Sequence, residues 1–506
     1  MPQYHPTAPR GSDLVPHSVL REGRYGRMFR DLPPLEIADG DLGQLDALAE
    51  LMLEPEELDD GSEELDTKFD GPIPAGFTYF GQFIDHDITF DPVSSLQRLA
   101  DPDALRDFRT PRLDLDSLYG DGPNDNPFMY DPDVDNGKTT FLIGANEADE
   151  DDLPRNTLPR DGRFLRGRAL IGDPRNDENI IVSQLHLLFL KFHNKVVDVA
   201  RRRFPGLEGD DLFIEAQRMT RWHYQWLVVH DFLGRVVGKD VIQDILVEQT
   251  YTAGAGVCGR GRDVKLLFFH WRHDPFMPVE FSAAAYRFGH SMIRADYRLN
   301  KTTEREIPIF TRGRLLVETG DLRGFRPLPG GFGIDWSFFF EVGDAGNLQH
   351  ARKIDTKLAE RLRYVAAVDA PNALAARNLR RGRTLGLPTG ERVAQAMGLE
   401  PILIPALGPL QFDGLFKGRA PLWYYILKEA EVVSGGERLG PVGGRIVAEV
   451  LLGLLKGDRF SYVNDPTWVP DLPAAEQGTF TFADLVTFTL GPQPSGPEPP
   501  QAPDQT

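Results

Sequence analysis

Apolar residues recur along much of the chain at intervals of three and four, which is the spacing of one face of an α-helix. The clearest helix follows Asp173-Pro174, where an N-cap residue precedes a proline at the first helical position. Its apolar positions are Ile180, Ile181, Leu185, Leu188, Phe189, Phe192 and Val196. A second long helix is predicted from Asp211 to about Leu233. Further helical patterns cover 280–294, 355–381, 391–398 and 440–456.

The remaining pattern predicts how these helices are organised. Loops rich in Pro and Gly join them without an alternating strand–helix rhythm, so we expect a mainly α chain with little β structure. Residues 1–70 should form an arm with one amphipathic helix, because leucines at 42, 45, 48 and 51 repeat every three residues among acidic ones. A charged link at 59–64 follows, then one large domain over 71–490 with a hairpin between about 312 and 342. The Pro-rich tail, 491–506, is expected to be disordered.

Composition narrows the classes of function. The 506 residues are 41% hydrophobic and carry a formal charge of −20, which argues against nucleic acid or an anionic membrane surface as a partner. Cys258 is the only cysteine, which excludes an intramolecular disulfide and a thiolate metal cluster. We see no general secretory signal peptide and no membrane-spanning apolar run. A reducing compartment is the default expectation, and export without an N-terminal signal stays open.

The stretch from Phe80 to Pro92 combines groups that can do chemistry. On a helix, Gln82, Asp85 and His86 lie on one face, whereas Asp87 points about a quarter-turn or more away. The segment could therefore offer a base to a pocket on one side and an oxygen ligand to a cation on the other. From this stretch alone, a structural histidine beside carboxylates is the ordinary alternative.

Downstream motifs supply further candidate ligands. Asp114 and Asp116 alternate in an irregular segment, and such oxygens suit Ca²⁺, although Asp-rich turns are common and EF-hand spacing is absent. Arg175 and Glu178 are three residues apart and could be either site residues or an exposed capping ion pair. His290 could ligate haem iron in a stripe that also contains Arg287 and Arg294, or that stripe could be a solvated basic face. The last motif runs from Arg377 to Pro388.

In this order, the motifs resemble those of the animal-type haem peroxidases of the peroxidase–cyclooxygenase superfamily. The lone cysteine differs from the disulfide-rich secreted animal enzymes, so the resemblance is to a bacterial-type member. It implies a large single-domain helical haem peroxidase fold with haem b and Ca²⁺ as cofactors. The implied partners are hydrogen peroxide and a small anionic or aromatic electron donor. The oligomeric state is left open.

The resemblance also gives each motif a role. His86 and Arg175 match the catalytic pair of the distal haem pocket, where Gln82 would orient water or an anion. His290 matches the proximal iron ligand, and Asn378 the residue that accepts a hydrogen bond from its imidazole. The other residues matched to haem are Asp85 and Glu178, which esterify haem methyl groups, and Arg287 and Arg381, which meet propionates. The residues matched to calcium are Asp87, Thr110, Arg112 through its main-chain oxygen, Asp114 and Asp116.

The implied reaction is proton transfer on hydrogen peroxide by His86, with Arg175 stabilising charge and a ferryl haem as the oxidant produced. Bromide, iodide, thiocyanate and small organic one-electron donors are the expected substrates. Asn179 replaces the Met that forms a sulfonium link in the chlorinating relative, so we expect two ester links at most and little chloride oxidation. Arg287 occupies the place of the cyclooxygenase radical tyrosine and Tyr286 should face elsewhere, which disfavours fatty-acid oxygenation. A catalytically silent haem and calcium adhesion-type module is the other alternative, and the presence of both His86 and Arg175 argues against it.

Overall fold

The computed structural model describes residues 23–36, 42–54, 68–90, 106–107, 109–160, 163–253, 257–303, 305–311, 320–343, 345–365, 373–402 and 419–491. These residues form one mainly helical domain, which confirms the predicted fold class. The predicted charged link and the Pro-rich tail after residue 491 lie outside the described residues. No helix in the described part of the chain is both long and apolar enough to cross a membrane.

The α-helices are α1 (Leu42–Met52), α2 (Gly76–Ile88), α3 (Asp116–Tyr119), α4 (Ile180–Arg203), α5 (Gly209–Trp226), α6 (Gly234–Val236), α7 (Lys239–Ile245), α8 (Val279–Ser282), α9 (Leu374–Thr384), α10 (Gly390–Ala396), α11 (Leu422–Ser434), α12 (Pro441–Gly457) and α13 (Phe482–Leu490). The strands are β1 (Gly23–Gly26), β2 (Asp70–Pro74), β3 (Arg106–Asp107), β4 (Gly144–Ala145), β5 (Asp151–Asp152), β6 (Arg155–Arg160), β7 (Arg163–Ala169), β8 (Leu246–Ala253), β9 (Val257–Val264), β10 (Met277–Pro278), β11 (Asp296–Tyr297), β12 (Ile307–Pro308) and β13 (His350–Arg352). β1 lies between β10 and β3, and the other strands form two-stranded pairs, with β2 pairing with β13.

Helix α4 begins later than its proline signal predicted. Asp173 caps a separate 3-10 turn, Pro174–Asp177, and α4 itself starts at Ile180. Its N-cap is Asn179, whose side chain accepts the N–H of Ile181. Asn179 is extended and bridges to Arg323, so the chain must bend between the turn and the helix. This bend puts the turn that carries Arg175 beside α2 rather than in line with α4.

The second long helix covers its predicted extent, as α5 followed by a π-helical segment, Leu227–Leu233. Two other helical predictions needed correction. The pattern at 280–294 forms α8 followed by a 3-10 helix, Ala285–His290, because the backbone at Ala284 leaves helical geometry. The pattern at 355–381 forms a 3-10 turn, Glu360–Tyr364, and then α9.

The predicted hairpin between about 312 and 342 falls partly outside the described residues. Residues 312–319 lie outside the described residues. Those described from 320 to 342 contain a 3-10 turn, Trp336–Phe338, and no strand. Helix α1 was predicted correctly and buries Leu45 and Leu48, but Leu51 is 40% exposed. A three-residue repeat drifts around a helix of 3.6 residues per turn, which explains why the last leucine leaves the buried face.

Helix α2 is the centre of the packing. Phe83 stacks on Phe189 of α4 with ring centroids 4.8 Å apart, and Phe80 meets Phe482 of α13 edge-on at 5.0 Å. Aromatic pairs of this kind contribute about 1 kcal/mol each beyond the area they bury. At the start of α2, a side chain at Gly76 would collide with the Phe340 ring, so only glycine permits this close approach. Packing on one face of α2 therefore fixes the direction of its polar face.

Candidate functional site

The polar face of α2 carries the first group of candidate residues. Gln82 donates from Nε2 to Glu178 Oε1 over 2.6 Å, and His86 Nε2 lies 3.6 Å from the same oxygen. His86 is 5% exposed, and the Glu178 side chain is 41% exposed. The structure therefore brings together Gln82, His86 and Glu178, as their motifs suggested.

Arg175 is fixed at the C-terminal end of α2. Its Nη2 donates to the main-chain oxygens of His86 and Thr89 over 2.9 and 2.6 Å, and its Nε and Nη2 both donate to Asp173. Arg109 also pairs with Asp173, at 2.7 Å. Burial raises the pKa of Asp173, but Arg175 and Arg109 outweigh burial and hold this pKa far below its ordinary value. Arg175 is thus held by Asp173 rather than by the capping pair with Glu178 that was the alternative.

The surroundings of His86 favour a neutral ring. Burial and the nearby Arg175 lower its pKa, and three carboxylates offset that effect only in part. His86 Nδ1 lies 2.8 Å from Asn176 Oδ1, and Asn176 Nδ2 lies 3.0 Å from His186 Nδ1. Sequence reasoning assigned no role to Asn176 or His186. No motif marks either residue, and only the fold brings them to His86.

His290 ends the 3-10 helix Ala285–His290 and lies against α9. Its Nδ1 is 2.6 Å from Asn378 Nδ2, so the structure places these two residues together. The amide nitrogen faces the ring, whereas the resemblance requires an accepting oxygen. An imidazole that ligates iron through Nε2 keeps its proton on Nδ1, so this role needs the Asn378 amide turned to present Oδ1. Burial, with Arg287, lowers the pKa of His290 to about 3, which keeps the ring neutral.

Arg287 joins the two halves of the site. Its Nη1 lies 3.5 Å from Asp85 Oδ2 on α2, and its Nε donates to Ser282 O over 2.8 Å. Burial raises the pKa of Asp85, but the charge of Arg287, with smaller contributions from His86 and Arg175, outweighs burial. The pKa of Asp85 is therefore lower than its ordinary value. Arg381 lies three residues after Asn378 on α9. Arg294 lies elsewhere, because the chain turns after His290 and this side chain pairs with Asp70, which ends the predicted basic stripe.

An apolar cavity lies between α2 and the segment 285–292. It is lined by Phe77, Thr78, Gly81, Phe232, Tyr286, Phe288, Gly289 and Met292. A Cβ added at Gly289 would meet nothing within 4 Å, so the backbone next to His290 faces open space. A neutral imidazole, basic residues and an apolar cavity are the groups that hold a haem and its propionates. The residues present therefore fit haem. Tyr286 lines this cavity, contrary to the expectation that it faces elsewhere.

The predicted calcium ligands surround the other side of α2. Carboxylate oxygens of Asp87, Asp114 and Asp116 all lie within 4.8 Å of one another. Thr110 Oγ1 donates to Asp114 Oδ2 over 2.9 Å, and Arg112 lies in the same turn, where its N–H donates to Thr110 O. Oxygen ligands of this kind suit Ca²⁺.

The charges in this cluster repel one another. Burial, Asp116 and Asp114 raise the pKa of Asp87 well above its ordinary value. Burial also raises the pKa of Asp116 to about 7, and Arg109 offsets this in part. Asp87 further accepts hydrogen bonds from Ser117 and Tyr224, which sequence reasoning missed. A bound divalent cation would remove the repulsion and keep the carboxylates ionised.

Comparisons with known proteins agree with this architecture. The family model described as animal haem peroxidase matches residues 97–403, a match that begins after α2. The Peroxidasin homolog pxn-2 of Caenorhabditis elegans is 24% identical over 385 residues, which are 70% of this chain and 26% of that protein. Eosinophil peroxidase of Mus musculus is 25% identical over 357 residues, which are 64% of this chain and 45% of that protein. The chain spans less than half the length of both relatives. Peroxidase A from Dictyostelium discoideum shares the fold, with a TM-score of 0.59 and 16% identity over 92% of each chain.

Proposed function

The chain belongs to the animal haem peroxidase family, and on that premise we propose that it uses hydrogen peroxide to oxidise bromide, iodide, thiocyanate or small organic one-electron donors. The observation that carries the proposal is the pairing of a buried neutral imidazole, His86, with the fixed guanidinium of Arg175. Asp85 and Arg287 bridge the helix of His86 and the segment of His290, so both segments border the same space.

The residues that would hold haem are on both sides of that space. His290 would ligate the iron through Nε2, and Asp85 and Glu178 would form the ester links. Arg287 and Arg381 would meet the propionates. When bound, haem supplies the redox chemistry that passes two electrons from the donor to peroxide. Asn179 cannot form a sulfonium link, so we propose two ester links at most and little oxidation of chloride.

The chain's own polar groups would manage the protons and the charge. His86 Nε2 takes a proton from one oxygen of hydrogen peroxide and returns it to the other, which leaves as water. Arg175 stabilises the negative charge that develops as the O–O bond breaks. Its bonds to Asp173 and to the carbonyls of α2 use Nε and Nη2, and they orient the remaining Nη1. Gln82, held by Glu178, would position a water or the anionic donor.

Fatty-acid oxygenation is a second candidate because Tyr286 lines the apolar cavity. Its ring stacks on Phe281 at 4.6 Å, and its hydroxyl is buried without a hydrogen-bond partner. Three residues before His290, however, the side chain is Arg287, which contacts Asp85. Oxygen uptake with a long-chain fatty acid, lost in Tyr286→Phe, would favour this second function over the peroxidase.

Replacing His86 tests the proposed peroxidase function. His86→Ala should slow the reaction of the haem-loaded protein with peroxide by about 10²–10⁴-fold, the usual contribution of a general acid–base group. Haem content should be unchanged, because His290 lies on another segment. Stopped-flow absorbance at the Soret band measures the rate constant.

The matched control is His193→Ala, which removes a buried imidazole of α4 that bonds to Tyr119 and Thr139 outside the site. This variant should keep the rate. An unchanged rate in His86→Ala would contradict the assigned base, and equal losses in both variants would point to a general folding defect.

A further inference from the structure

Asn176 lies between two buried imidazoles and bonds to both. Its Oδ1 faces His86 Nδ1 at 2.8 Å, and its Nδ2 faces His186 Nδ1 at 3.0 Å. An amide oxygen can only accept and an amide nitrogen can only donate. With the Asn176 amide oriented this way, a neutral His86 would carry its proton on Nδ1 and a neutral His186 would accept at Nδ1. Asn176 and His186 are fully buried, so water cannot take over either bond.

The backbone that carries Asn176 is anchored. Asn176 is part of the 3-10 turn capped by Asp173, and its own N–H donates to Asp173 O over 3.1 Å. The next residue, Asp177, receives two hydrogen bonds from the buried Arg155, at 2.7 and 2.6 Å. These bonds hold the amide between the two rings. Burial lowers the pKa of His186 to about 3, so this ring stays neutral and keeps one nitrogen that can accept a hydrogen bond.

The other nitrogen of His86 gives an independent indication of where the proton is. Nε2 is 3.6 Å from Glu178 Oε1, which is too long for a hydrogen bond. That carboxylate oxygen instead accepts from Gln82 Nε2 at 2.6 Å. A protonated Nε2 beside a carboxylate would be expected to donate to it. The geometry is that of a bare Nε2 on the side of the ring that faces Glu178.

We propose that Asn176 is a positioning residue that fixes the tautomer of His86 with its lone pair on Nε2, and that His186 orients the Asn176 amide. The inference rests on the proposed function, in which His86 accepts a proton from peroxide through Nε2. Without the acceptor at Nδ1, a neutral imidazole favours the tautomer with the proton on Nε2, which cannot act as the base.

Two replacements of similar size separate this role from packing. Asn176→Leu fills the space but makes no hydrogen bond, and should slow the peroxide reaction about 10–100-fold, the usual cost of losing such a supporting bond. Asn176→Asp keeps the acceptor and should retain most of the rate above neutral pH, where the more basic ring is still neutral. His186→Leu should give an intermediate loss, because the amide is then free to turn. A packing role predicts the reverse order, since Asp buries a charge and Leu does not.

The tautomer can also be measured without any turnover. The probe is ¹⁵N NMR of the haem-loaded protein with its 11 histidines labelled. The haem is reduced and bound to carbon monoxide, which makes it diamagnetic. The His86 signals are assigned as those missing from the spectrum of His86→Gln. The unchanged protein and Asn176→Asp should show a protonated Nδ1 and a bare Nε2, and Asn176→Leu should show a protonated Nε2. A protonated Nε2 in the unchanged protein, or no change in Asn176→Leu, would overturn the inference. If the expected tautomer is found but peroxide does not react, the proposed function fails while the assignment of Asn176 stands.

Discussion

Asp85 and Glu178 are carboxylates of one site in different surroundings. Asp85 is buried, accepts a hydrogen bond from Thr89 and lies beside Arg287. Glu178 is more exposed and accepts from Gln82. The two carboxylates have separate partners, so the proposed ester link through one does not depend on the other.

Glu178→Gln should therefore remove one ester link and leave the one through Asp85, because an amide does not form the ester. After incubation with haem and peroxide, the variant should still retain haem on acid extraction, and mass spectrometry should find a single linked peptide. Glu248→Gln changes an exposed glutamate outside the site and should leave both links. Two linked peptides in Glu178→Gln would contradict the assignment.

At the residue scale, the motifs predicted the residue types of the site better than their contacts. Gln82 and His86 share a face of α2, as their spacing predicted, and Glu178 contacts both, as the resemblance implied. The partner of Arg175 was not predictable, because Asp173 was equally suited to cap a helix and does cap the 3-10 turn while it holds the guanidinium. The contacts of Asn176 could not be predicted, because they depend on the fold bringing His86 and His186 to either side of its amide.

At the scale of elements, α2 lies between the candidate haem site and the candidate calcium site, because the neighbouring side chains of His86 and Asp87 point in different directions. His86 faces Asn176 and Glu178, and Asp87 faces the loop that carries Asp114 and leads into α3. The start of α4 was misplaced because both Asp173 and Asn179 are good N-cap residues. The β-bridge between Asn179 and Arg323 makes Asn179 the residue at which α4 begins. This contact joins distant parts of the chain, so the local sequence could not predict it.

Calcium should stabilise the contact between α2 and the loop before α3. Removal of Ca²⁺ by a chelator should lower the melting temperature, and re-addition at a hundred times the dissociation constant should restore about 2.7 kcal/mol of unfolding free energy. Differential scanning fluorimetry measures the shift. Asp114→Ala should abolish the response, whereas Asp121→Ala, which changes an exposed residue of the same region, should keep it. A calcium response that survives in Asp114→Ala would contradict the predicted ligand set.

At the scale of the whole molecule, several buried imidazoles couple stability to pH. Burial lowers the pKa of His193 and His223 to about 4 and that of His186 and His230 to about 3. Each is neutral in the folded protein and would take up a proton on unfolding below its ordinary pKa of 6.5. The stabilisation is therefore complete above pH 6.5 and is lost as the pH falls toward the folded values.

We expect the free energy of unfolding to fall between pH 6.5 and 4 by up to about 1.4 kcal/mol per pH unit for each of these imidazoles. Guanidinium denaturation over this range measures the slope. His193→Gln should flatten it by the share of one imidazole, and replacing His270, which is exposed, should not. An identical slope in His193→Gln would contradict the account of the buried rings.

The fold class followed from helical periodicity, because helices such as α1 and most of α5 bury one face at intervals of three and four residues. The two-residue strands could not be predicted from the sequence, because β3, β4 and β5 are too short to show an alternating pattern. Periodicity also could not predict that α2 and the segment 285–290 lie next to each other. That expectation came from the order of the motifs, and the contact between Asp85 and Arg287 joins the two segments.

The most direct test of the proposed function is an absorption spectrum of the haem-loaded protein before and after stoichiometric peroxide, followed by bromide or thiocyanate. We expect a strong Soret band that diminishes with peroxide and recovers when the anion is added. Recovery with a phenolic donor alone would assign the organic class of donor. A haem-loaded protein whose Soret band does not respond to peroxide would contradict the peroxidase function, and a protein that binds no haem would contradict the site itself.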